Sequence, residues 1–154
     1  STLANKDCKK FLRHKERVNE QSVFAECENT GLMLKTRPDL MILSERTVFD
    51  VKTTQDASPM GFSSECFRYA YDIQAAFYLY VCNLAKLDVN SFKFLTVEKT
   101  APYVSHVHVV SEELLASATE RMHRTLAIIA DAEKQENYDT GWGDYSIIEK
   151  PKWL

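Results

Sequence analysis

The sequence lacks a long apolar run, a cysteine pair and an excess of basic residues. No apolar stretch in its 154 residues approaches the roughly 20 residues that a membrane-spanning helix requires, so we expect no membrane partner. The first ten residues are polar and lysine-rich, which argues against a secretory signal in that stretch. The four cysteines are scattered without a Cys-x-x-Cys pair, a pattern typical of reduced thiols. These absences favour a cytoplasmic protein.

The net charge of -3 is unfavourable for a protein that holds nucleic acid, because phosphate binding depends largely on lysine and arginine. The densest basic run comprises Lys6, Lys9, Lys10, Arg13, Lys15 and Arg17. It either contacts backbone phosphates or forms a solvated helix face, since Asp7 and Glu16 interleave with it. With 45% hydrophobic and 27% charged residues, the composition predicts one domain with a sizeable core.

Two short motifs with apolar flanks carry the chemistry of this sequence. Asp50-Val51-Lys52 lies eleven residues after Asp39, which follows Pro38. The apolar blocks around the motifs predict paired strands joined through the polar segment 44–46, which places Asp39 beside the Asp50 end. Because side chains alternate along a strand, Asp50 and Lys52 share one face and Val51 is expected to turn into the core.

Two carboxylates this close repel each other, and a divalent cation removes the conflict. Hard oxygen ligands suit Mg²⁺, with Mn²⁺ as an alternative, and Mg²⁺ keeps several waters. Lys52 is then placed to orient or deprotonate an attacking water, or to stabilise charge growing on phosphorus. The alternative is that Asp-x-Lys is simply a solvated strand face.

The remaining pattern alternates strands and helices, which predicts an α/β fold with a central mixed β-sheet flanked by helices. Strands are expected at Leu32 to Ile42, Thr47 to Lys52, Phe92 to Glu98 and Val104 to Val110. Helices are expected at Asn5 to Gln21, from Ser58-Pro59, at Arg68 to Ala85, and from a Ser111 cap to Lys134.

On the Arg68 to Ala85 helix, Tyr71, Gln74 and Tyr78 fall on one face. Aromatic residues at helical spacing are more often core than site, so the tyrosines have a packing alternative, whereas a buried Gln74 amide demands polar partners. His106 and His108 share a strand face without a third ligand at useful spacing, so a solvent-facing pair is favoured over zinc. The apolar side chains after residue 136 should be covered by this domain or by a neighbouring subunit: Tyr138, Trp142, Tyr145, Ile147, Ile148 and Trp153.

Motif order and spacing resemble the PD-(D/E)XK nuclease superfamily. The matching residues are Gly31 to Asp39, Asp50-Val51-Lys52 with Thr53 and Thr54, Asp56 to Pro59, and Tyr71 to Tyr78 with its Gln-x-x-x-Tyr element. Within the superfamily the sequence is most similar to the exonuclease VIII type of recombination exonuclease, from about Glu20 to Pro151-Lys152-Trp153. The scattered cysteines do not match the superfamily's iron–sulfur members.

The resemblance implies a role for each matched residue. Asp39, Asp50 and Glu20 would be acidic metal ligands, Val51 would give its backbone carbonyl to the metal, and Lys52 would be the active-site lysine. In relatives the upstream acid, here Glu20, lies on the first helix; Glu16, Glu26 and Glu28 compete for the assignment. The expected substrate contacts are Gln74, Tyr78, Tyr71, Arg37, Lys35 and Thr53.

The resemblance also implies a function. It is a Mg²⁺-dependent exonuclease that digests double-stranded DNA from the 5′ end in recombination, in a bacterial or phage-infected cell. A ring-shaped homo-oligomer and a single-strand annealing recombinase partner would accompany it. The alternatives are a structure-specific endonuclease of the same superfamily and an inactive DNA-binding or assembly module. Relatives carry further helical sequence upstream, so this single nuclease domain, residues 1–154, is expected to be a shortened or minimal version.

Overall fold

A computed structural model describes residues 5–150, which form a five-stranded sheet, a two-stranded sheet and four helices within that range. The elements in chain order are α1 (Lys6–Leu12), β1 (Arg17–Asn19), β2 (Val23–Glu26), β3 (Met33–Thr36), β4 (Leu40–Ile42), β5 (Thr47–Thr54), α2 (Pro59–Arg68), α3 (Tyr71–Leu84), β6 (Ser91–Glu98), β7 (Ser105–Val109) and α4 (Glu112–Gln135). The Pro151 to Trp153 end of the sequence similarity lies outside the described residues.

The main sheet has the strand order β1-β4-β5-β6-β7. β5 pairs in parallel with β6, from Thr47 opposite Ser91 to Thr54 opposite Glu98, and the other pairs are antiparallel. The parallel pair requires a crossover, which α2 and α3 provide. The predicted α/β fold with a central mixed sheet flanked by helices is confirmed.

The two faces of the sheet bury separate apolar clusters, because side chains alternate along β5. Val48 joins the larger cluster with α2, α3 and α4, whereas Phe49 joins the smaller one under α1. Phe49, Phe92 and Phe94 are almost completely buried. Full burial of such side chains contributes about 1.5–3 kcal/mol each, so the central strands are fixed by packing on both sides.

Two predicted helix starts are confirmed. The Ser58 side chain accepts a hydrogen bond from the Gly61 amide, with Pro59 in the first turn of α2. The Ser111 side chain accepts from the Leu114 amide and begins α4. Each cap satisfies an amide that has no partner within the helix.

Three predicted elements are wrong in extent. The expected helix from Asn5 to Gln21 ends at Leu12 and is followed by β1. The expected strand from Leu32 to Ile42 divides at Pro38, because β3 pairs with β2 in the small sheet and β4 with β5 in the main one. The expected helix from Arg68 to Ala85 begins only at Tyr71, since Ala70 has a left-handed backbone (φ 55°).

The small β2–β3 sheet packs over α3 and adds Val23 and Leu34 to the larger core. No helix within residues 5–150 combines the length and apolarity needed to cross a bilayer.

Candidate active site

The β4–β5 hairpin brings the two aspartates of the motifs together. Leu40 pairs with Phe49, so Asp39 and Asp50 lie at the same end of neighbouring strands. The Asp39 carboxylate accepts a hydrogen bond from the Val51 amide, with 2.7 Å between Oδ2 and N. This bond fixes one carboxylate against the backbone of the strand that carries the other, as the sequence predicts.

Asp50 is the buried acid of this cluster, with 4% of its surface exposed. Its Oδ1 accepts a hydrogen bond from the Gln74 side-chain amide at 2.8 Å. Its Oδ2 lies 2.7 Å from the Lys52 ammonium, in an ion pair rather than a hydrogen bond of regular geometry. Helix α3 and strand β5 thus hold the same carboxylate from two directions.

Burial raises the pKa of Asp50, because desolvation disfavours the charged form. The Lys52 ammonium opposes this rise, the negative charge of Asp39 adds to it, and the Gln74 hydrogen bond opposes it. A second positive charge nearby would therefore stabilise the charged form of the Asp50 carboxyl.

Tyr71 confines the Lys52 ammonium. The ammonium lies 4.5 Å from the centre of the Tyr71 ring, a cation–π contact. The ring in turn packs against Phe62 and Phe94 in the core. Burial raises the pKa of Tyr71, with the Lys52 charge opposing the rise. Tyr71 thus keeps its phenol proton at neutral pH and supports the lysine through its ring.

The expectation that Val51 turns into the core is wrong, since 39% of its surface is exposed. It shares a strand face with Phe49, and the α1 side chains Cys8 and Phe11 pack with Phe49. The cluster under α1 does not extend to Val51. Val51 is therefore partly in solvent, while its backbone amide is held by the Asp39 carboxylate.

Glu20 is not on a helix, so that part of its assignment is wrong. It follows β1 with a positive φ of 49°, and its amide donates to the Asp39 carbonyl at 3.1 Å. Its exposed carboxylate pairs with Arg37 at 3.0 Å. The Glu20 backbone is thus next to Asp39, while its side chain is held by a predicted substrate-contact residue.

Comparison with known protein families identifies the family of the chain. The family model described as a PDDEXK-like domain of unknown function matches residues 4–146. The chain belongs to this PDDEXK-like family. Pro38-Asp39 and Asp50-Val51-Lys52 supply the residue types of the motif after which the family is named. No protein among those with curated functions matches the chain significantly.

Two solved structures share the PDDEXK-like fold of this chain. A candidate exonuclease from Eubacterium rectale superposes with a TM-score of 0.73 at 15% identity, covering 97% of this chain and 59% of the other. A phage-related exonuclease from Haemophilus somnus 129PT gives 0.55 at 12% identity, covering 85% and 68%. At such identities the likeness shows the fold, and the chain spans only 59% of the length of the Eubacterium protein.

Three other predicted substrate contacts of this PDDEXK-like domain have no contact with the aspartates in the described structure. Tyr78 packs edge-on against Phe92 at 6.1 Å, as the core alternative predicts. Lys35 is on the small sheet, its ammonium 5.3 Å from the Phe24 ring. Thr53 is exposed on the Val51 face of β5. Among residues 5–150 no group of three or more histidines, cysteines or acids is arranged to hold a metal.

The basic run at the start of the chain lies on the other side of the sheet from Asp50. Helix α1 packs on the face that carries Phe49, and Asp50 projects to the α3 face. Lys10 pairs with Glu45 at 3.8 Å. The lysines of α1 in this PDDEXK-like domain therefore do not lie on the Asp50 side of the sheet.

Three polar groups near the motif were missed from sequence. The buried Thr54 hydroxyl donates a short hydrogen bond to Glu65 on α2. Glu98 of β6 accepts from the Ala57 amide at 3.0 Å. Their only sequence signal is the Thr53-Thr54 pair after the motif, because Glu65 and Glu98 come from elements placed by tertiary packing.

The histidine pair is only half solvent-facing. His106 is exposed, but His108 stacks on Phe62 with 4.4 Å between ring centres. Burial lowers the pKa of His108 to about 4, with the neighbouring His106 as a second cause. His108 is thus a neutral packing residue of the domain at pH 7.

Proposed function

We propose that the protein is a Mg²⁺-dependent deoxyribonuclease, and specifically a 5′ to 3′ exonuclease on double-stranded DNA that acts in recombination. The observation that carries the proposal is the Asp50 carboxylate, buried, 2.7 Å from the Lys52 ammonium and beside a second carboxylate on the next strand. A purely structural ion pair would not require the repelling Asp39. Membership of the PDDEXK-like family and the fold shared with a candidate exonuclease and a phage-related exonuclease support it.

The residues present fit a hard divalent cation. Asp39, Asp50 and the Val51 carbonyl offer oxygen atoms, the donors that Mg²⁺ prefers, and Mn²⁺ can substitute. The buried Asp50 carboxyl, whose pKa is raised, would be stabilised in its charged form by a cation. Glu20 would join this set through its other carboxylate oxygen, because only one oxygen is paired with Arg37. When bound, Mg²⁺ would supply charge neutralisation at the phosphate and water of lowered pKa.

Side chains of the protein are proposed to act on the water, the phosphate and the acidic ligand. Lys52 is proposed to orient or deprotonate the attacking water or to stabilise charge at phosphorus. Gln74 holds Asp50 in position through its amide, and Tyr71 limits the motion of Lys52 through its ring. Arg37, once free of Glu20, could contact a phosphate. Backbone contacts of this kind predict little sequence preference.

Exposed apolar side chains after α4 support the proposed ring of identical subunits. Trp142, Tyr145 and Ile148 are 82–97% exposed, more than an isolated domain normally leaves in water. Sedimentation or light scattering at several concentrations would test for the oligomer. An annealing recombinase partner is proposed on the sequence resemblance alone and would be tested by co-purification.

The decisive experiment compares linear duplexes labelled at the 5′ or the 3′ end with closed circular plasmid, with Mg²⁺ and with EDTA. We expect Mg²⁺-dependent release of the 5′ label first, an intact circle, and no digestion by Asp50→Asn. Asp131→Asn, an exposed acid on α4, is the matched control and should digest normally. Cleavage of the circle would instead establish an endonuclease. DNA binding without hydrolysis in any metal would establish a binding or assembly module.

A further inference from the structure

Aromatic side chains are exposed where α2 ends beside the candidate active site. Phe67 is 56% exposed and Tyr69 is 53% exposed. The Arg68 guanidinium lies 5.6 Å from the centre of the Tyr69 ring. An exposed aromatic ring with an arginine beside it is the combination that proteins use to stack and neutralise single-stranded nucleic acid.

Tyr69 is linked to the acids through two ring contacts. Its ring centre lies 5.6 Å from that of Tyr71, and the Tyr71 ring lies 4.5 Å from the Lys52 ammonium. Ala70 between the two tyrosines has a left-handed backbone, which costs an L-residue energy and is held by the packing around it. The turn therefore fixes Tyr69 within reach of a nucleotide neighbouring the one at Asp50.

A groove of about 260 Å³ opens next to Tyr69. Its walls include Asp56, Gly61, Ser64, Glu65, Arg68 and Tyr69. A Cβ on Gly61 would overlap the Asp56 carboxylate, so only glycine lets Asp56 pack against α2 at this point. The volume is slightly below that of pockets for drug-sized ligands, roughly 300 Å³ and above, which suits one planar ring system.

The charge of the groove decides which part of a nucleotide it takes. Asp56 and Glu65 are both acidic, and hydrogen bonds from the Ser58 backbone and side chain lower the pKa of Asp56, which keeps it ionised. Two carboxylates repel a phosphate. Besides the bonds that Glu65 accepts from Thr54 and Asp56 accepts from Ser58, each has further acceptor positions for the ring and amino N–H groups of a base. The Tyr69 ring offers the stacking face, and Arg68 the only positive charge among the groove's lining residues.

We propose that Tyr69 and this groove bind one unpaired nucleobase of the DNA strand whose backbone passes Asp50. The inference rests on the proposed function, because it takes DNA as the substrate. Binding a base outside the duplex would make the protein prefer DNA ends with unpaired or easily frayed bases. Loss of one stacked base is expected to weaken binding about tenfold.

The test measures binding without cleavage, in EDTA, using duplexes with a short 5′ or 3′ overhang that carries 2-aminopurine or an abasic site. Wild type should quench the 2-aminopurine on one of these overhangs and bind the abasic form of it about tenfold more weakly. Tyr69→Ala should lose the quenching and bind both forms equally, and Tyr69→Phe should behave like wild type. Phe24→Ala is the matched control, a ring of 57% exposure with a lysine ammonium 5.3 Å away on the small sheet.

Three results would each overturn the subsite. Tyr69→Ala could quench 2-aminopurine as strongly as wild type, wild type could bind the abasic and intact overhangs equally, or the protein could fail to bind DNA. Digestion is measured separately with Mg²⁺, so the two proposals fail in different ways. Base-dependent binding without hydrolysis would keep the subsite and reject the nuclease. Hydrolysis together with equal binding of the abasic and intact overhangs would keep the nuclease and reject the subsite.

Discussion

Gln74 of α3 donates its side-chain amide to Oδ1 of Asp50 on β5, at 2.8 Å. The bond joins a helix to the central strand at the buried acid of the candidate site. It stabilises the carboxylate form of Asp50 and fixes the orientation of its two oxygens. Gln74 is therefore a positioning residue, acting on the reaction through Asp50.

Replacing Gln74 should affect turnover more than folding. Gln74 borders an apolar cavity lined by Phe77, Met122 and Leu126, so Gln74→Leu keeps a side chain suited to that surface. We expect kcat on linear duplex to fall about 10–100-fold, with KM nearly unchanged and the unfolding free energy lower by about 1–2 kcal/mol, because buried Asp50 loses one hydrogen bond. Gln135→Leu is the control, because that exposed amide makes the same type of bond to Asp131. Full activity of Gln74→Leu would contradict the positioning role.

The pairing of Asp39 with Asp50 could be predicted because it is local. Eleven residues, a polar turn and strand alternation suffice to bring the two acids to one edge. The Gln74 contact with Asp50 spans 24 residues. The sequence indicates that a buried Gln74 amide needs a polar partner, but not that Asp50 is that partner.

Other features depended on tertiary packing and could not be predicted from local patterns. Leu32 to Ile42 has the pattern of one strand, but its two halves belong to different sheets. No residue in the segment indicates which sheet each half joins. The break at Ala70 carries no glycine or proline signal. β1 is only three residues long, and pairing with β4 rather than hydrophobic pattern makes it a strand. Glu20 follows this strand and is not on the predicted helix, because β1 replaces the second half of that helix.

Removing Arg121 should destabilise the fold strongly. Its guanidinium pairs with Asp72, which is 0% exposed, and this pair joins α4 to α3. Arg121→Leu leaves a buried carboxylate without its charge partner, which typically costs several kcal/mol. Because the Arg121 side chain is 37% exposed, we expect a smaller loss than for a fully buried pair, about 2–3 kcal/mol, by urea unfolding.

Arg124→Leu, an exposed arginine on the same helix, should change the unfolding free energy by less than about 0.5 kcal/mol. Combining Arg121→Leu with Asp72→Asn should recover part of the loss, since the second change removes the stranded charge. Equal stability of the two single arginine variants would exclude a structural role for the pair.

His108 should make stability depend on pH. Burial first, then the His106 charge, lowers its pKa from 6.5 to about 4, while a hydrogen bond with the Ala57 backbone opposes this. As pH falls below 6.5, His108 becomes protonated in the unfolded chain but stays neutral in the folded one. The free energy of unfolding therefore declines until about pH 4 and then levels off. At about 1.4 kcal/mol per pKa unit, a difference of about 2.5 units corresponds to a decline of about 3–4 kcal/mol.

His108→Phe should remove this contribution and preserve the stacking on Phe62. Urea unfolding at pH 7, 5.5 and 4 should therefore show a smaller loss of stability toward acid in the variant than in wild type. Parallel pH profiles for the two proteins would show that the imidazole accepts its proton in the folded state as readily as in the unfolded one.

Ala70→Gly should stabilise the protein, contrary to the usual effect of glycine. Ala70 has φ 55° between α2 and α3, a conformation that costs an L-residue about 1–2 kcal/mol and glycine little. The greater freedom of glycine in the unfolded chain offsets part of this, leaving an expected gain of about 0.5–1 kcal/mol. Ala116→Gly, exposed within α4, should instead lose about 1 kcal/mol. If both variants lost stability equally, the left-handed turn at Ala70 would not be strained, and no packing energy would be needed to hold it.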